Sequence, residues 1–100
     1  MTVKLILTWN IAAQKEQEYF EFVVRDFIPG LQRLGFDLSD AWATVYGDYP
    51  QILVGATLPS LSKAQSLINS GEWISLNNRL QEYVQNYEMK LVPVQGGFQF

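Results

Sequence analysis

The chain is 100 residues long, 48% hydrophobic and 17% charged, which is apolar enough for one packed domain and too apolar for disorder. Its seven Lys and Arg are scattered and outnumbered by ten Asp and Glu, so a nucleic-acid partner, which needs a clustered basic face, is disfavoured. With no Cys and no His, it has no disulfide framework, no thiolate or imidazole metal site and no histidine base.

Val3 to Trp9 alternates Val3, Leu5, Leu7 and Trp9 with Lys4, Ile6 and Thr8, the period-2 pattern of a strand. From Gln14 to about Leu34 the apolar positions Phe20, Val23, Val24, Phe27, Ile28, Leu31 and Leu34 fall at spacings of 3, 1, 3, 1, 3 and 3. That spacing draws one stripe down a helix. Pro29-Gly30 interrupts it, and because the apolar phase continues beyond, the pair reads as a kink or short restart and not as an end, either a simple packing bend or a kink that opens the mouth of a cleft. Gly35 is the expected stop.

Ala41–Tyr46 and Gln51–Leu58 form the next two strands, joined by a Gly47–Pro50 hairpin loop. Ser62, with Gln65 three residues on, is the expected cap of a short helix. Ser70 is the expected cap of a second segment, whose stripe is Trp73, Leu76, Leu80, Tyr83, Val84 and Tyr87. Met89–Val94 is a last strand, and residues 95–100 are a C-terminal tail. The order predicts an α+β fold: a single ferredoxin-like β-α-β-β-α-β domain over residues 1–100. Its sheet has four antiparallel strands, helices on one face, and the first and third strands at the centre.

Such a sheet has one face that its own helices do not cover. Ile6, Leu53, Val92 and Val94 fall on the side opposite the main core alternation. Exposing each forgoes ~1.5–3 kcal/mol, so a homodimer through that sheet face is the expected partner. No apolar run approaches the ~20 residues of a membrane span, and Met1–Lys4 does not open a secretory signal. The expectation is a cytoplasmic protein without membrane contact.

The remaining chemistry lies in aromatic and amide groups. Trp9 and Asn10 end the first strand, Trp42 and Tyr46 lie on the second, and Trp73 and Asn77 stand one turn apart on the last helix. Gathered in a cleft between helices and sheet, they would suit a small apolar or aromatic ligand. The simpler alternative makes the three Trp core, Asn10 a strand-end turn residue and Asn77 a solvated helix position. The acid pairs Glu16/Glu18 and Asp37/Asp40 read as surface solvation, since no other ligand type accompanies them. No cofactor and no metal are expected.

The element order, the run Trp42-Ala-Thr-Val-Tyr46-Gly47 into Tyr49-Pro50, and Ser70-Gly-Glu-Trp73 followed by Leu76 and Leu80 resemble the dimeric α+β barrel superfamily. That superfamily includes NIPSNAP-like, EthD-like and antibiotic-biosynthesis-monooxygenase-like proteins. The resemblance implies small, often aromatic molecules held between sheet and helices, which some members oxidise or cleave without a dedicated cofactor. The heme-degrading branch uses an Asn on the first strand, a position Asn10 matches, and a His on the second helix, near which Asn77 stands. Heme chemistry of that kind is therefore not implied. Three functions stay open: a small-molecule-binding dimer; a cofactor-independent oxygenase or isomerase acting on an aromatic or polyketide-like substrate, with polar roles at Asn10, Tyr46 and Asn77; and a structural or regulatory interaction module.

Overall fold

A computed structural model describes residues 2–43 and 51–94. The expected Gly47–Pro50 loop, Tyr46, the side chain of Trp42 and the 95–100 tail lie outside the described residues. The elements run β1 (Val3–Ile11), α1 (Glu16–Phe22), a π-helical turn (Val23–Phe27), α2 (Ile28–Leu34), β2 (Asp37–Ala43), β3 (Ile52–Leu58), α3 (Leu61–Ile68), α4 (Gly71–Leu80) and β4 (Val84–Pro93). The four strands are antiparallel neighbours in the order β2-β3-β1-β4, the expected sheet with β1 and β3 central.

The alternation in β1 sorts its two faces. Val3, Leu5, Leu7 and Trp9 are buried under the helices with Val54, Ala56 and Leu58 of β3, while Lys4, Ile6 and Thr8 are only half-buried on the other side. On that outer face Lys4 of β1 forms an ion pair with Asp40 of β2 over the top of β3. Gly55 makes this possible, since a Cβ there would lie 3.0 Å from both Asp40 Oδ2 and Lys4 Cε.

The first helical run differs from a plain α-helix in a way that changes which residues it buries. Pro29 has no N–H to give the carbonyl four residues back, and the chain answers just upstream with a π turn. There the Ile28 N–H bonds the Val23 carbonyl, five residues away. One additional residue in a turn rotates everything before it by about 100°. Tyr19 and Phe22 therefore face the core, and Phe20 and Val24, expected in the apolar stripe, are 55% and 69% exposed. Gly30 lets the run close on α4: a Cβ there would stand 2.6 Å from Leu76 Cδ1. The Pro29-Gly30 bend is thus a packing device. Gly35, at φ 105°, ends the run as expected.

Several boundaries depart from the sequence reading. β2 begins at Asp37 and not Ala41; a register shift between Leu38 and Asp40 breaks the alternation that would have revealed it. The cap of α3 is Ser60, whose Oγ accepts the Lys63 N–H at 3.0 Å, and not Ser62. Helix α4 stops at Leu80, and Val84 and Tyr87 belong to β4, which starts five residues before the expected Met89. The cap of α4 is Ser70, as expected, accepting the Trp73 N–H at 3.3 Å. Among the described residues no helix is long and apolar enough to cross a membrane.

Candidate functional site

The inner face of the sheet is not filled evenly. Toward the β2 edge, β3 presents Ile52 and Val54, while the positions paired with them on β2 are Ala43 and Ala41. Two alanines where larger side chains would meet the helices leave an apolar hollow of about 350 Å³. Trp9, paired with Ile52 across β1 and β3, also lines it. Its helical wall is Tyr19, Val23, Phe27 and Ile28, from α1, the π turn and the first residue of α2.

Trp9 is held from three sides. Phe27 meets it edge-on at 5.9 Å between ring centres, Tyr19 edge-on at 6.4 Å, and Tyr87 stacks on it at 6.3 Å with planes 12° apart. Its Nε1–H donates to the Tyr19 hydroxyl at 2.9 Å. Burial pushes the Tyr19 phenol above its ordinary value, a rise that the Trp9 hydrogen bond partly opposes. Tyr19 is therefore neutral and keeps its proton at physiological pH.

Behind Trp9 a second set of polar groups is closed on itself. A bulge in β4, where the register with β1 shifts between Thr8 and Asn10, places Asn86 at φ 57° and lays Tyr87 against Trp9. The Tyr87 hydroxyl donates to Asn77 Oδ1, and Asn77 Nδ2 donates to the Trp73 carbonyl at 3.0 Å. Burial raises the Tyr87 phenol to about 12. Asn77 is 6% exposed, so it is not the solvated helix position its sequence suggested. Tyr87 supplies the partner that makes its burial affordable.

The structure thus separates the residues nominated from sequence. Trp9 lines the hollow. Asn10, at the end of β1, accepts the Gln51 N–H on Oδ1 at 2.9 Å, and Gln51 Oε1 accepts the Ile11 N–H at 2.7 Å, a reciprocal clamp between β1 and the start of β3. Trp73 is core, its ring 5.1 Å from Phe36, and with Asn77 it stands apart from the hollow's lining. Trp42, described in its backbone alone, pairs with Leu53. Sequence reasoning missed Tyr19, Ala41 and Ala43. The alanines were legible as small residues in a strand; Tyr19 was not, because the π turn that brings it inward has no period-3.6 signature.

No protein-family model matches the chain, and no curated protein matches it in sequence. Solved structures do match in shape. A NIPSNAP family protein of Agrobacterium tumefaciens is 20% identical, with a TM-score of 0.70 over 96% of this chain and 95% of that one. An EthD family protein of Bacillus halodurans is 13% identical, with a TM-score of 0.70 over 95% of this chain and 100% of that one. An antibiotic-biosynthesis-monooxygenase-like protein of Nitrosomonas europaea is 8% identical, with a TM-score of 0.68 over 95% of this chain and 91% of that one. The chain has the ferredoxin-like α+β fold that these NIPSNAP, EthD and monooxygenase-like proteins share.

Proposed function

We propose that the protein binds a small apolar molecule in the hollow between α1, the π turn and the β2–β3 half of the sheet, and does so as a homodimer. The observation that carries the first half is the hollow itself. Its 350 Å³ lies within the ~300–1,000 Å³ range of small-molecule sites, and its lining is aromatic and aliphatic but for the polar edges of Trp9 and Tyr19. Binding without chemistry is the better-supported form. Among the described residues no carboxylate, amine or amide side chain lines the hollow, so of these general-base work there would fall to a Tyr19 phenol that burial keeps protonated.

The outer sheet face supports the second half. Ile6 and Leu53 with Thr8, Glu88 and Lys90 line a shallow depression of about 270 Å³ there, and Val92 is beside it, opposite Lys4. Glu88 and Lys90 alternate along β4, so a two-fold axis through the face can set each against the opposite charge of the second copy.

The test of binding is a pair of proteins, the natural chain and Ala41→Leu, titrated with naphthalene and followed by calorimetry. Ala41 is exposed at the mouth, so leucine fills the hollow without entering the core. Loss of affinity of tenfold or more in a variant of unchanged stability supports the reading. Absence of binding to the natural chain overturns it.

A further inference from the structure

Among the described residues, the hollow offers a ligand one hydrogen-bonding side chain that still has a proton to give. Among the described residues that line it, only Trp9 and Tyr19 carry polar side-chain atoms. An indole nitrogen can only donate, and the Trp9 N–H is already given to the Tyr19 oxygen at 2.9 Å. The direction of that bond fixes the role of Tyr19: its oxygen accepts, and among the described residues nothing accepts the proton of its own hydroxyl. Tyr19 is 3% exposed, so this proton cannot simply be left to bulk water.

We infer that Tyr19 sets the specificity of the hollow, selecting apolar molecules that carry one hydrogen-bond-accepting oxygen, such as an aryl ketone, which the Tyr19 hydroxyl receives while Trp9 holds that hydroxyl in position. The inference rests on the proposal that the hollow binds a ligand and adds which ligand it prefers. Donation by Trp9 polarises the phenol and strengthens the hydrogen bond it makes in turn. A ligand offering only a donor would meet an oxygen already engaged by the indole. A ligand offering neither would bury the hydroxyl proton without a partner.

Two probes of one shape separate the possibilities: acetylnaphthalene and isopropenylnaphthalene, substituted at the same ring position, differ by a carbonyl oxygen in place of a methylene. The natural chain should bind the ketone about three- to tenfold more tightly, the worth of one neutral hydrogen bond. The preference should vanish in Tyr19→Phe. The infrared carbonyl stretch of the bound ketone should lie below its value in hydrocarbon solvent with the natural chain, and return to that value in Tyr19→Phe. Equal affinity for both probes in the natural chain overturns the inference and leaves the binding site standing; failure of both to bind overturns the site and the inference together. A ketone preference that persists in Tyr19→Phe also overturns it. The comparison on the unaltered chain is decisive even if the variant does not fold.

Discussion

The Tyr87 hydroxyl donates to Asn77 Oδ1 and so fastens edge strand β4 to the buried face of α4. Asn77 is satisfied at both ends of its amide, by Tyr87 and by the Trp73 carbonyl. Asn77→Ala should lower stability by about 1–3 kcal/mol, because a buried phenol loses its acceptor. Urea denaturation measures it. Tyr87→Phe should cost less than the sum predicts when combined with Asn77→Ala, since either change alone orphans the other group.

Alkaline pH should reach the same pair. The folded protein keeps the Tyr87 proton to about 12, against an ordinary value of 10.0. The stability this contributes is complete below pH 10 and is lost as pH climbs toward 12, where the unfolded chain has released a proton that the folded one still holds. Tyr19 shifts in the same direction. The urea midpoint should be flat to about pH 9 and fall above it, with a shallower fall in Tyr87→Phe.

The proposed dimer has its own test. Sedimentation at micromolar concentration should give twice the chain mass. Leu53→Asp, on the outer face and away from the main core, should give the single mass with an unchanged circular dichroism spectrum. A natural chain that sediments as a monomer removes the dimer from the proposal without touching the hollow.

Most of the fold was legible because periodicity reports burial directly. The alternation in β1 named its buried face residue by residue, and Ser70 marked the start of α4. The failures have particular causes. Tyr83, Val84 and Tyr87 continue the spacing of Leu80, so a helix stripe appeared to run into what is β4. What ends the helix is the turn over 81–83, where the Tyr83 N–H bonds the Leu80 carbonyl, a choice periodicity does not encode. Trp9 and Asn77 were both singled out from sequence. Only Trp9 reaches the hollow, because the partner that claims Asn77 sits ten residues downstream on a bulged strand.

The π turn has a consequence for how this helix tolerates a change of length. It houses one residue more than an α-helix needs between Phe22 and Phe27, both of which face the core. Deleting exposed Val24 should therefore not scramble the helix but straighten it, with Tyr19 still against Trp9. The same deletion placed next to Leu31, where the run is α-helical, should swing the apolar face out of register. A shortened chain that keeps its melting temperature within a few degrees in the first case and unfolds in the second would show that the turn is a spare residue in storage, one the chain can lose without losing its hollow.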